Sequence, residues 1–243
     1  MDQWLRETIS GTFDAPALKS GCTYLGGGVM KIMKRSIVAV LIPLSVGIAT
    51  MDSSVAQTVS DQSAKDAVQS MAKSVCGSCH GVEGRSTDPA IPNLAGQQRT
   101  YIEIQLKAFR AQMRRDPDSH AYMWGIAAAW LHDDKVVAEV ANYYSSQMPA
   151  PGKVQDPSAV ATGKALFEKS GADRSIRACV ECHGPNAEGA YFFPRLAGQN
   201  SEYLARQLKM MRLRLRDSPV MHGVIKDLSD ENVTALVAYL QSK

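Results

Sequence analysis

The sequence predicts an all-α protein that consists of two tandem copies of one small helical domain. Three observations lead to this fold class: the second half repeats blocks of the first, the apolar residues of each copy recur at helical spacing, and no segment alternates apolar and polar residues as a strand does. The chain has 243 residues, of which 45% are apolar and 21% charged, as in an ordinary globular protein. A net charge of +3 without a long basic block predicts no nucleic-acid partner.

The first 56 residues have the features of a targeting segment rather than of a domain. A short basic stretch ends at Arg35, an apolar run follows at 36–49, and small residues lead to Ala56. This pattern is typical of a secretory signal peptide, which we expect to be cleaved after Ala56. The apolar run has about 13 residues, fewer than the ~17–25 that cross a bilayer, and an uncleaved N-terminal anchor is the alternative. Residues 1–29 precede the signal pattern and indicate an over-extended start.

The rest of the chain repeats itself in three ordered blocks. The blocks read Cys-x-x-Cys-His, then Pro-x-Leu-Ala-Gly-Gln with a later Tyr-x-x-x-Gln-Leu-Lys, then Leu-x-Asp followed by an acid. They begin at residues 76, 92 and 131 in the first copy and at 179, 194 and 228 in the second. Ordered blocks at a nearly constant offset indicate a duplicated domain of about 90 residues.

The repeat predicts an N-terminal domain at 57–148, a linker at 149–157 and a C-terminal domain at 158–243. The linker contains three prolines and a glycine, which cannot continue a helix.

Within each copy the apolar residues follow a helical period. A middle helix carries one apolar stripe in each copy, and a final helix carries a second, for which Ser229 is the expected N-cap. The middle stripes are Ile102, Leu106, Phe109 and Met113 in the first copy, and Leu204, Leu208, Met211 and Leu215 in the second. We expect these side chains to form the two cores.

The Cys-x-x-Cys-His motif is the attachment signature of c-type haem. Two thiols one helical turn apart can bond the two vinyl-derived carbons of a porphyrin edge, and the next residue then directs its imidazole at the iron. A thioredoxin-like pair needs no histidine and lies in a βαβ unit, and a zinc ribbon needs its second pair within ~15–20 residues. Two such motifs in register with a duplication, behind an export signal, predict two covalent haem c groups.

A methionine in each copy is the predicted sixth ligand of the iron. Met123 and Met221 follow the middle helix in loop-like sequence, whereas Met113 and Met211 continue the apolar stripes and are expected in the core. A thioether favours ferrous iron, so His/Met ligation raises the potential. His120, His132 and His222 lie nearby and are the alternative donors.

In these motifs the chain resembles the cytochrome c4 family, dihaem class I c-type cytochromes of the bacterial periplasm. The resemblance covers residues 57–243. It implies that Pro92 and Pro194 accept a hydrogen bond from the proximal histidines and orient them. It also implies thioether links at Cys76, Cys79, Cys179 and Cys182, proximal ligation by His80 and His183, and distal ligation by Met123 and Met221.

The resemblance implies an electron carrier rather than an enzyme. The expected electron donor is a quinol-oxidising cytochrome bc complex, and the expected acceptor is a terminal oxidase. The expected compartment is the periplasm, where the protein is either free or associated with the inner membrane, peripherally or through an anchor. One alternative is the cytochrome subunit that accepts electrons from a dedicated dehydrogenase. Another is a haem enzyme such as a dihaem peroxidase, which needs an iron with an open position.

A basic stretch closes the second middle helix, and it has two interpretations. Lys209, Arg212, Arg214 and Arg216 form either a solvated or propionate-paired face or a docking patch for an acidic redox partner.

Overall fold

The computed structural model of the protein describes residues 53–154, 156–169 and 177–243. These residues are mostly helical, and across the three ranges the only β-type pairing is an isolated bridge between Ala190 and Phe193. The predicted signal segment lies outside the described residues except for its last positions, where the first helix begins. Across the same ranges no helix is both long and apolar enough to cross a bilayer.

The first copy is built from five α-helices and two π-helical turns. Helix α1 continues through a π-helical turn (Ala72–Cys76) into α2, and a second π-helical turn (Ser119–Met123) leads into α4. Helix α5 packs against both α1 and α3. The helices are α1 (Ser53–Met71), α2 (Gly77–His80), α3 (Arg99–Arg110), α4 (Trp124–Trp130) and α5 (Asp134–Ser145).

In the second copy the described residues, 156–169 and 177–243, repeat this order with five helices, of which α10 packs against α6 and α8. Helix α6 starts at Pro157, whose missing N–H is no loss at a first helical position, and Asp156 caps it. Ser229 caps α10 by accepting from the Asn232 N–H, as the sequence predicts. The helices are α6 (Pro157–Glu168), α7 (Val180–His183), α8 (Ser201–Arg212), α9 (Pro219–Ile225) and α10 (Asp230–Ser242). The predicted fold class, two tandem helical domains, is confirmed.

Each copy has its own apolar core on the predicted stripes. In the first, Ile102 and Phe109 of α3 pack with the buried face of α5. In the second, Leu204 and Met211 of α8 pack with the buried face of α10. Tyr144 is fully buried in the first core, where its hydroxyl donates to the Ala72 carbonyl.

The prediction that Met113 lies in the core was wrong, since 69% of its surface is exposed. Helix α3 ends before it, because Gln112 takes a left-handed conformation (φ +54°) and the Met113 N–H bonds back to the Ala108 carbonyl. The second copy ends α8 in the same way at Arg214 (φ +58°), and Leu215 is half exposed. In both copies the left-handed residue turns the stripe away from the core.

The two copies bury a polar cluster between them. The guanidinium groups of Arg114 and Arg216 both donate to the side-chain carbonyls of Gln105 and Gln207, over 2.7–3.1 Å. Arg216 also donates to the Tyr101 hydroxyl at 2.9 Å. Because Tyr101, Gln105 and Arg114 belong to the first copy and Gln207 and Arg216 to the second, the cluster joins the copies.

Asp116 supplies the negative charge of this cluster. Its carboxylate accepts from the Arg114 Nε at 2.8 Å and from the Ser119 hydroxyl at 2.6 Å. Burial by itself would raise the pKa of Asp116, but the Arg114 charge and the Ser119 hydrogen bonds outweigh it and hold that pKa below its usual value.

These contacts leave Arg216 neither on a solvated face nor in a docking patch. Arg216 is 7% exposed and lies between the copies, so it cannot meet a docking partner. Arg212 donates to the Asp230 carboxylate and to the Leu228 carbonyl of its own copy. The docking patch built on Arg212 and Arg216 was therefore wrong.

We expect Arg216→Met to destabilise the folded protein by about 2–4 kcal/mol, because the Tyr101 hydroxyl loses its donor and the carbonyls of Gln105 and Gln207 each lose one of their two arginine donors. Arg99→Met is the matched control: Arg99 pairs with Glu103 on the exposed face of α3, and its loss should cost less than about 1 kcal/mol. Guanidinium unfolding followed by far-ultraviolet circular dichroism measures both. Equal losses in the two variants would contradict the role of the cluster.

Asp116→Asn should lower the stability at pH 7 by about 1–3 kcal/mol and make it less dependent on acid pH. A carboxyl with a depressed folded-state pKa stabilises above its unfolded value, about 3.9, and this contribution is lost as the pH falls through the folded value. Unfolding should be measured between pH 7 and pH 2, with the exposed α1 variant Asp66→Asn as control. An unchanged acid profile in Asp116→Asn would refute the prediction.

Candidate functional site

In each Cys-x-x-Cys-His motif the first cysteine directly precedes a short helix that ends at the histidine. Helix α2 ends at His80 and α7 at His183, so the two cysteines of each motif lie one helical turn apart. Cys79 is exposed, and the other three cysteines, Cys76, Cys179 and Cys182, are partly buried. Among the described residues none of the four is part of a disulfide bond.

Burial raises the pKa of the Cys76 thiol to about 11, and that of Cys179 to about 11 as well. A redox-active thioredoxin-like pair needs the opposite, a thiol whose pKa is lowered. The environment of these cysteines therefore argues against a disulfide-exchange site.

A glycine follows each histidine and turns the chain sharply. Gly81 has φ +80° and ψ 145°, and Gly184 has φ +79° and ψ 160°, a region that essentially only glycine occupies. The turn brings the next segment back over the histidine.

One ring nitrogen of each histidine is held by a proline carbonyl. Nδ1 of His80 lies 2.9 Å from the Pro92 carbonyl oxygen, and Nδ1 of His183 lies 3.0 Å from that of Pro194. Burial lowers the pKa of both imidazoles, so each ring is neutral at pH 7 and donates its Nδ1–H to the carbonyl. Nε2 is then left with a lone pair, as an iron ligand requires.

The second copy leaves this lone pair without a partner. Nε2 of His183 is buried, and across the described residues it has no hydrogen-bond partner. A buried imidazole nitrogen with an unused lone pair is costly unless something binds it. The residues of this site therefore fit a haem whose iron takes Nε2.

The proline segments, Pro92–Gln97 and Pro194–Gln199, are hydrogen-bonded to the rest of their own copies through matching backbone groups. The Leu94 and Ala95 N–H groups donate to the Gly84 carbonyl, and Gly96 donates to the Tyr144 carbonyl of α5. In the second copy Leu196 and Ala197 donate to Ala187, and Gly198 donates to Leu240 of α10. Each proline carbonyl is thus tied to the final helix of its copy.

The two methionines that the sequence predicts as ligands lie on helical turns, so the interpretation of their surroundings as loops was wrong. Met123 ends the second π-helical turn, directly before α4, and Met221 lies in α9, which Pro219 starts. Each is partly buried and packs against the core of its copy. Neither is as exposed as Met113.

The rival histidines are engaged elsewhere or exposed. His222 has both ring nitrogens in contact, one with the Met211 carbonyl and one with the Arg214 Nε. The exposed ring of His120 packs edge-on against Trp124 at 4.6 Å, and His132 is exposed beside Asp133. The Trp124 indole donates to the Arg114 carbonyl and holds the start of α4.

The family comparison agrees with this geometry. The Cytochrome c family model matches residues 64–149 and again residues 160–243. Cytochrome c-552 of Acidithiobacillus ferridurans is 38% identical over 69% of this chain and 73% of that protein. Cytochrome c4 of Azotobacter vinelandii is 30% identical over 86% of this chain and 99% of that protein. The chain belongs to the cytochrome c4 family.

Solved structures lead to the same family. Cytochrome c4 of Acidithiobacillus ferrooxidans is 35% identical, with a TM-score of 0.65, and the match covers 69% of this chain and 98% of that structure. Membership explains the duplicated motif: the protein is a dihaem electron-transfer cytochrome with one covalently attached haem c in each copy.

A further relative has a more specific name. The thiosulfate dehydrogenase electron acceptor of Stutzerimonas stutzeri is 34% identical over 68% of this chain and 76% of that protein.

The residues that join the copies escaped the sequence analysis. Tyr101, Gln105 and Arg114 recur as Tyr203, Gln207 and Arg216, all at the offset of the proline segments. The recurrence of these polar residues at the offset of the duplication was the signal in the sequence that could have indicated a contact between the copies.

We expect Met123→Leu to remove the methionine–iron charge-transfer band of one haem and leave that of the other. Its haem potential should fall by roughly a tenth of a volt or more, part of the ~0.8 V over which axial ligands set potentials. His120→Ala and Met113→Leu are the controls, and both should keep the full band. A full band in Met123→Leu would exclude Met123 as the ligand. If His120 were the ligand, the unmodified protein would already lack the band of the first haem, and His120→Ala would change the spectrum of that haem.

Proposed function

We propose that this protein is an exported electron carrier of the periplasm that passes electrons from a quinol-oxidising cytochrome bc complex towards a terminal oxidase. The observation that carries the proposal is the histidine of each copy, whose Nδ1 is engaged by a proline carbonyl while Nε2 is left for iron. When bound, the two haem irons supply reversible one-electron oxidation and reduction.

The site residues have three roles in this proposal. Cys76 and Cys79, and in the second copy Cys179 and Cys182, hold the haem covalently. His80 and His183 are the proximal ligands, which Pro92 and Pro194 orient through Nδ1. Met123 and Met221 complete the iron coordination and raise the potential.

The surface of the first copy supports exchange with a partner. Cys79 is exposed, and Val82, two residues after His80, has 53% of its surface exposed. Cys79 would therefore hold the haem at a solvent-facing part of this copy, which a redox partner can approach. A small interface is typical of brief redox encounters.

The same residues argue for a carrier rather than a catalyst. A catalytic iron needs a free position for its substrate, and each copy has a methionine on a helical turn to fill that position. A carrier needs only to hold the irons, exclude water and reach its partners.

A second candidate is the electron-accepting subunit of a dedicated dehydrogenase. The observation in its favour is the similarity to the thiosulfate dehydrogenase electron acceptor, which covers 76% of that protein. Such a subunit would have the same iron ligands as the respiratory carrier and would differ from it only in its electron donor.

The protein purified from periplasm should contain two haems per chain by pyridine haemochrome, both low-spin and both with positive potentials in an optical titration. His/Met ligation of both irons produces this result. One haem per chain, or one high-spin iron that binds added cyanide or carbon monoxide at once, would contradict it.

The two donors can be separated by kinetics. Fast reduction by quinol through purified bc complex, with no reduction by thiosulfate and its dehydrogenase, is expected for the respiratory carrier. The reverse pattern would favour the dehydrogenase subunit.

A further inference from the structure

Two glutamine side chains cross between the copies and pair with the backbone of the opposite proline segment. The Gln199 carbonyl Oε1 accepts from the Asn93 N–H at 2.7 Å, and its Nε2 donates to the Asn93 carbonyl at 2.9 Å. Gln97 does the same to Arg195, accepting at 2.7 Å and donating at 3.0 Å. Each glutamine thus makes a two-point contact with one residue of the other copy.

The N–H that each glutamine accepts belongs to the same peptide group as the proline carbonyl. Asn93 follows Pro92, so the peptide between them receives the His80 Nδ1–H on its oxygen and donates its own N–H to Gln199. Arg195 follows Pro194, and that peptide connects His183 with Gln97. A hydrogen-bonded chain therefore runs from each proximal histidine to a glutamine of the opposite copy.

Bonds in such a chain strengthen one another. An amide whose N–H is donated has more negative charge on its oxygen and is a better acceptor. A better acceptor draws the Nδ1 proton more strongly and makes Nε2 a better donor to iron, as the outer partners of ligand histidines generally do. A more electron-rich imidazole stabilises ferric iron and lowers the potential.

The surroundings keep this effect from being screened. Asn93, Gln97 and Gln199 are buried, each less than 9% exposed. In a medium of low polarity, hydrogen bonds polarise each other more than they do in water.

We propose that Gln97 and Gln199 are positioning residues that tune the haem of the opposite copy through its proximal histidine. Gln199 tunes the iron held by His80, and Gln97 tunes the iron held by His183. The inference rests on the proposed ligation by these histidines.

The test measures the two haem potentials separately in the holoprotein, by an NMR redox titration of the assigned haem methyl signals. Gln199→Leu should raise the potential of the first haem and leave the second unchanged. Gln97→Leu should do the opposite. The Nδ1–H resonance of the affected histidine in the reduced protein should move upfield, because its hydrogen bond weakens.

Matched controls separate tuning from loss of the interface. The Gln98 side chain donates across the copies to the Glu188 carbonyl, and that of Asn200 donates to the Asp88 and Ile91 carbonyls, but neither contacts the peptide group that follows Pro92 or Pro194. Gln98→Leu and Asn200→Leu remove cross-copy bonds of the same kind and should move neither potential. Gln97→Met and Gln199→Met preserve length and serve if the leucine variants fail to fold.

Three outcomes overturn the inference: no shift in either potential, equal shifts of both, or a shift of the haem in the same copy as the substitution. These are distinct from failure of the proposed function, because absence of His/Met ligation shows in the unmodified protein as a missing charge-transfer band.

Discussion

The hydrogen bond between Nδ1 of each proximal histidine and a proline carbonyl is the contact on which the rest of this structure depends. It fixes the tautomer and the direction of the ring, so Nε2 is left as the donor to iron. To place that carbonyl, the chain turns at a glycine after the histidine and anchors the proline segment to the last helix of its copy. Both copies repeat this solution with distances that differ by 0.1 Å or less.

The contact between the copies places two positive side chains side by side in a buried region. Arg114 and Arg216 are tolerated because each shares the carbonyls of Gln105 and Gln207 and because Asp116 provides a counter-charge. An incompletely satisfied cluster of this kind would cost more than an apolar contact. Orientation of the two domains, and hence of their haems, is therefore set by polar bonds that are directional.

Local covalent chemistry made much of the site predictable. Thioether attachment demands two cysteines one turn apart with the histidine next, so the sequence alone predicts Cys76, Cys79 and His80 and their repeats as the haem-binding residues. Helical spacing likewise identified the cores around Phe109 and Met211. It failed at Met113, because α3 ends at Arg110, the left-handed Gln112 turns the chain away, and no glycine marks that position. The interface between the copies was not predicted for another reason. An arginine that a second domain buries has the same local sequence pattern as an arginine in solvent.

The pairing of Gln97 with Arg195 and of Gln199 with Asn93 has a consequence for how the two copies are held together. Equivalent positions contact each other reciprocally, which is the definition of the isologous surface of a symmetric dimer. A single domain with this surface would be self-complementary even without a covalent link to a second copy. The Pro-rich linker then acts as a tether: it keeps the partner at an effective concentration of roughly millimolar, so bonds of about 1 kcal/mol each suffice to hold the pair together.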